Sequence, residues 1–170
     1  MIHAPYVLTY SLELERELRP EAQIVLDNYT NGRGRSVFTP TLDRILRGLI
    51  AQRLLALDLG RPEADVTRPW AKPYDIAPDI EVRSVLRPSR IDHWTDVCLP
   101  FYRKDKGKID RRWVLAMIDP EIREVRYLGW ATGAEMLFPE PVTASRRNGE
   151  TYEILGMVYP DQMRAMADLE

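Results

Sequence analysis

Ile80-Glu-Val-Arg-Ser-Val-Leu86 opens with an apolar–charged alternation whose period of two is that of an extended strand. Successive side chains of a strand point to opposite faces. Glu81 and Arg83 therefore share one face, and Ile80, Val82 and Ser84 share the other. Just upstream, in Tyr74-Asp-Ile-Ala-Pro-Asp79, stands a further carboxylate, Asp75. Two carboxylates and a fixed positive charge are thereby expected at one strand end. Carboxylates in such a place hold a hard divalent cation, and an arginine there faces the charge that develops on a phosphate under attack.

The totals set the frame for that strand. A chain of 170 residues with 45% hydrophobic and 29% charged residues is expected to form one soluble domain with one core. A formal net charge of −2 means that any nucleic-acid contact has to come from a local basic surface. The single cysteine, Cys98, excludes an internal disulfide and a cysteine-rich zinc site. No apolar run has the length of a membrane span, and the N-terminus lacks the basic-then-apolar pattern of a signal peptide. A cytoplasmic location and no membrane partner are expected.

A first helix is expected over Ser11–Asn28, kinked or divided at Pro20, followed by a glycine- and asparagine-rich loop that carries Arg33 and Arg35. Thr39 and Pro40 suit the N-cap and first position of a second helix, which Gly60 and Pro62 stop after Leu59. Its stripe of Leu42, Ile45, Leu46, Leu49 and Leu57 should face a sheet, with Gly48 and Gln52 one turn apart beside it. A proline-rich connector runs from Arg61 to Pro78. Strands are then expected at Ile80–Leu86, Asp96–Tyr102, Trp113–Asp119 and Val125–Trp130. The charged segment Arg103–Arg112 reads as a hairpin tip between the second and third of these, with Gly107 at its turn. Thr132-Gly-Ala-Glu135 fits a capping box opening a short helix that Pro139 ends. A polar loop at Ser145–Gly149, a strand over Thr151–Val158 and a C-terminal helix from Tyr159 complete an α/β (α+β) layer pattern.

The order of these features resembles the PD-(D/E)XK nuclease-like superfamily, in particular small phage- and prophage-type members with a Glu-Val-Arg triplet. The resemblance rests on Gly48-x-x-x-Gln52, Asp75-x(5)-Glu81-Val82-Arg83, Leu128-Gly-Trp130 and Thr132-Gly-Ala-Glu135, and it covers about Thr39 to Asp168. It implies a three-layer core with a central mixed sheet flanked by helices. Residues 39–170 would form that core, and residues 1–38 an N-terminal helix and basic loop within the same single domain.

The resemblance also implies a metal-dependent nuclease that hydrolyses DNA phosphodiester bonds with Mg2+ or Mn2+. Asp75 and Glu81 would be the metal-binding acids, joined by the Val82 carbonyl, and Gln52 would stand where relatives carry a helix glutamate. Arg83 takes the position usually held by lysine. Its pKa lies too high for a general base, so its expected role is to orient the phosphate. Gln52 removes one charge from the metal site but still offers an oxygen to a bound water. Asp79, two residues before Glu81, is the alternative to Asp75 as first ligand. DNA is the implied partner, RNA the alternative, and a homodimer or larger phage nucleoprotein complex is compatible. An inactive nuclease-fold module that binds nucleic acid or protein is the competing reading, supported by the same glutamine and arginine.

Other readings of these residues are plainer. Glu81 and Arg83 alone would suit an exposed strand face. Arg87, Lys104, Lys106, Lys108, Arg111 and Arg112, with Arg33 and Arg35, form either a duplex-backbone contact or a solvated charged surface. His3 and His93 have no partner pattern, and Cys98 reads as a buried structural thiol.

Overall fold

The computed structural model describes residues 2–31, 40–66, 74–87 and 93–169. In chain order the elements are β1 (Tyr6–Thr9), α1 (Leu12–Thr30), α2 (Leu42–Asp58), β2 (Ile80–Leu86), β3 (Leu99–Tyr102), β4 (Arg112–Asp119), β5 (Glu124–Thr132), α3 (Gly133–Met136), β6 (Leu137–Ser145) and β7 (Thr151–Val158). Short 3-10 turns lie at Trp94–Asp96, Arg103–Lys108, Pro160–Gln162 and Met166–Asp168.

Local chemistry accounts for the helices. Ser11 caps α1 by accepting from the Leu14 amide at 3.1 Å, and Glu13 and Glu15 favour the positive end of its dipole. The helix runs unbroken through Pro20. In α2 the cap is Thr41, accepting from Arg44, so the helix starts beyond Pro40; Thr39 lies outside the described residues. At the other end Gly60, with φ 61°, closes a Schellman motif in which Arg61 N donates to Ala56 and Gly60 N to Leu57.

Two sheets form. The first is mixed, in the order β1-β5-β4-β2, with β2 parallel to β4 and the other pairs antiparallel. The second, β3-β7-β6, is antiparallel. Alternation along β4 and β5 divides the interior. Val114, Ala116, Ile118, Val125 and Tyr127 pack with Leu18, Ala22, Leu46, Ile50 and Leu55 of the helices. On the opposite face Trp113, Leu115, Met117 and Leu128 meet Leu99, Phe101, Val158 and Met136. The protein is thus mixed α+β with layers of helix, sheet and sheet. Helices α1 and α2 cover one face only, and a second sheet takes the place expected for the other helix layer.

Several sequence expectations change for physical reasons. The segment Arg103–Arg112 is not a hairpin, because β3 and β4 belong to different sheets and a 3-10 turn carries the chain between them. Gly107 is not among the glycines with positive φ, and its surroundings leave room for a Cβ. Helix α2 is covered by both α1 and the sheet, so burial runs around it through Ala51, Gln52, Leu55 and Ala56 and leaves Leu57 67% exposed. The strand before Tyr102 begins at Leu99, preceded by a 3-10 turn.

Helix α3 has the capping box expected of Thr132 and Glu135 but ends at Met136, where β6 begins pairing with β7. Pro139 and Pro141 lie within β6, an edge strand, where a missing N–H is tolerated. Among the described residues the C-terminal segment forms two 3-10 turns and no α-helix: Trp130 and Arg164 exchange backbone hydrogen bonds and hold the chain extended between those turns. No helix among the described residues is long and apolar enough to cross a membrane.

Candidate functional site

Strand β2 is one of the two edges of the first sheet, with β4 as its neighbour among the described residues. Its ladder to β4 sends Ile80, Val82 and Ser84 toward α2, where a Cβ at Gly48 would lie 3.6 Å from Ser84 Oγ. Glu81 is paired in register with Trp113 and Arg83 with Leu115, so both face the second sheet. The shared face expected of Glu81 and Arg83 is therefore present.

Asp75 reaches this strand through a chain reversal. Asp75 N and Ile76 N both donate to Ile80 O at 3.0 Å, and Ile80 N returns a bond to Ile76 O; the Ala77–Pro78 peptide within the turn is cis. The buried carboxylate of Asp75 accepts from Val82 N at 2.8 Å. A strand residue points its N–H and C=O to the same side, so the Val82 carbonyl also points away from β4. Asp79 goes elsewhere. Arg112 grips it with a fork, Nη2 to Oδ1 at 2.5 Å and Nε to Oδ2 at 3.0 Å, and also donates to the Leu169 carbonyl. Of the two candidate first ligands, Asp75 is the one placed beside Glu81.

The Glu81 side chain is only 5% exposed, and each of its oxygens has a cation. Lys108 Nζ donates to Oε2 at 2.8 Å and Arg111 Nη1 to Oε1 at 2.5 Å. Burial, then the charge of Asp75, pushes the Glu81 carboxyl above its ordinary value, against the pull of Lys108 and Arg111. Arg83 donates to the buried Asp105 at 2.6 Å and lies over the Trp113 ring at 5.0 Å. Its Nε is buried without a hydrogen-bond partner.

Gln52 is buried on the helix side, where its amide donates to the Asp75 carbonyl at 3.1 Å and to Glu63 at 3.4 Å. It therefore acts on the backbone that presents Asp75. Glu63, which is also bonded by Arg53, has its carboxyl pushed up chiefly by burial.

The basic residues divide. Lys108, Arg111 and Arg112 turn inward onto carboxylates, a placement different from a free basic surface. Arg87 pairs with Asp119 at 2.7 Å and remains half exposed. Lys104 and Lys106 are exposed, and Lys104 lines an open cleft of about 430 Å³ with Tyr102, Arg103 and Tyr152. Arg33 and Arg35 lie outside the described residues.

Two partners of the site were not singled out from the sequence. Asp105, at the N3 position of a capping box, holds Arg83 and accepts from Tyr102 N. Glu63 gave no signal in its proline-rich connector.

Among the described residues no group of three or more His, Cys, Asp or Glu side chains is gathered for a metal. Asp75, Glu81 and the Val82 carbonyl are nonetheless hard oxygen donors of the kind Mg2+ takes while keeping several waters. The repulsion between the two carboxylates is what a divalent cation would relieve. The donor chemistry fits such an ion, which would share the Glu81 charge with Lys108 and Arg111. No protein-family profile, characterised protein sequence or solved structure matches the chain.

Proposed function

We propose that this protein is a metal-dependent nuclease, of the PD-(D/E)XK-like kind the sequence resembles, that hydrolyses DNA phosphodiester bonds with Mg2+ or Mn2+. The observation that carries the reading is the convergence of two carboxylates, Asp75 and Glu81, at the edge of β2 away from β4, with Arg83 on the same strand face and Lys108 and Arg111 on Glu81. When bound, the cation supplies polarisation of a phosphoryl oxygen and of a water molecule. The chain does the rest. Asp75 and Glu81 hold the cation with the Val82 carbonyl, and Gln52 fixes the backbone of Asp75. Arg83 cannot take a proton, and serves by placing positive charge beside the phosphate. The test is cleavage of linear and circular DNA and of RNA, with and without Mg2+, by the parent and by Glu81→Ala. Cleavage only by the parent and only with metal is expected; equal cleavage by both proteins would overturn the assignment.

A second reading, an inactive module that binds nucleic acid or a protein partner, is favoured by one feature. Both Glu81 oxygens and the Arg83 guanidinium already have internal partners. This reading predicts no metal binding and no cleavage of any polynucleotide, and calorimetric titration with Mg2+ or Mn2+ separates the two.

A further inference from the structure

Glu81 is paired twice. One carboxylate, 5% exposed, is shared by Lys108 and Arg111, whose side chains are 30% and 24% exposed. A divalent cation that binds Asp75 and Glu81 together competes with both for the Glu81 charge, because each Glu81 oxygen already accepts from one of them. A displaced cation in a half-buried place is costly until it finds another anion.

The backbone that carries the two cations is held in place. Trp113 Nε1 donates to Lys108 O at 3.2 Å, Gly133 N to Arg111 O at 3.2 Å and Ala134 N to Ile109 O at 3.0 Å. Gly133 packs so closely that a Cβ there would lie 2.6 Å from Ile109 O. Exchange therefore has to occur by rotation of the two side chains, with their origins fixed beside the carboxylates.

We propose that Lys108 and Arg111 form a binding site for the phosphate of a polynucleotide whose resting counter-ion is Glu81. A divalent cation on Glu81 would weaken its hold on Lys108 and Arg111 and leave them to phosphate, so that metal and phosphate bind with positive coupling. The phosphate-binding part needs no metal; the coupling rests on the reading of Asp75 and Glu81 as metal ligands. Charge-assisted bonds from arginine and lysine to phosphate replace those to the carboxylate, so little bonding is lost in the exchange. Linkage makes the effect reciprocal: bound phosphate strengthens metal binding by the factor by which metal strengthens phosphate binding.

Two measurements on the full chain test this. Calorimetry with Mn2+ compares the parent with Lys108→Met and Arg111→Met, of which Lys108→Met leaves Glu81 with Arg111 and so keeps the buried charge paired. Removing a competing cation should tighten Mn2+ binding by about fivefold or more in each variant. Unchanged or weaker Mn2+ affinity in both variants overturns the exchange. If the parent still cleaves DNA, that result leaves the nuclease assignment standing.

The second measurement is fluorescence anisotropy with a labelled short DNA duplex in EDTA. Glu81→Gln, which frees both cations without any metal, should bind about fivefold tighter than the parent, and adding Lys108→Met should remove the gain. Unchanged DNA affinity in a folded Glu81→Gln overturns the phosphate site. A parent that binds no Mn2+ and cleaves nothing removes the nuclease reading and the coupling with it, while the EDTA result still decides whether Lys108 and Arg111 bind phosphate.

Discussion

The Val82 amide donates to the Asp75 carboxylate at 2.8 Å, so a side chain from the preceding turn is fastened to the strand that carries Glu81. The bond has two effects. It satisfies an N–H on the edge of β2 away from β4, and it holds one buried acid close enough to Glu81 to push the second carboxyl upward.

Asp75→Ala should therefore leave a half-buried donor without this acceptor and cost about 1 kcal/mol of stability, measured by urea unfolding. Asp75→Asn keeps an acceptor oxygen and should cost less. The same variant should shift the Glu81 carboxyl titration downward, because a repelling charge is gone; NMR of the labelled glutamate carboxyl carbon reads this directly.

Arg112 joins Asp79 and the Leu169 carbonyl to the first strand pair, tying the C-terminal segment to β4. Arg112→Met should cost about 2 kcal/mol in urea unfolding. Its DNA affinity by anisotropy should match the parent's, since the guanidinium faces inward. A marked loss of DNA binding with unchanged stability would return Arg112 to the nucleic-acid surface.

Tyr102 gives a pH dependence with a definite sign. Burial pushes its phenol from 10.0 up to about 12, partly opposed by Arg83. The folded state keeps this proton to higher pH than the unfolded chain. The stabilisation is thus complete below the unfolded value of 10.0 and is lost as pH rises toward about 12. Urea midpoints of the parent should fall across that window, and Tyr102→Phe should make the fall shallower.

Glycine tolerance separates the two ends of the second layer. A Cβ on Gly156 would lie 1.8 Å from Met136 O, where α3 gives way to β6, while one on Gly107 meets nothing within 4 Å. Gly156→Ala should cost about 3 kcal/mol or more by thermal or urea unfolding. Gly107→Ala should leave stability nearly unchanged, an outcome a hairpin turn requiring positive φ would not give.

What could be seen in the residues was what short-range physics decides. The β2 strand follows from its alternation, the end of α2 from Gly60, and the opening of α3 from Thr132 and Glu135. The pairing of Lys108 and Arg111 with Glu81 could not be seen, because it joins residues 27 and 30 positions apart and depends on which sheet each strand enters. A run of charges around Gly107 suits a hairpin and a 3-10 crossover equally well. Only the separate sheets of β3 and β4 distinguish them. For the same reason Arg83 read as a free phosphate ligand, whereas Asp105, 22 residues later, holds it.

Anomalous diffraction from crystals grown with Mn2+ decides whether Asp75 and Glu81 form a divalent-cation site. An anomalous peak beside both carboxylates, with Lys108 or Arg111 turned away from Glu81, is the expected result. A map with no such peak, and with both cations still on Glu81, would contradict it.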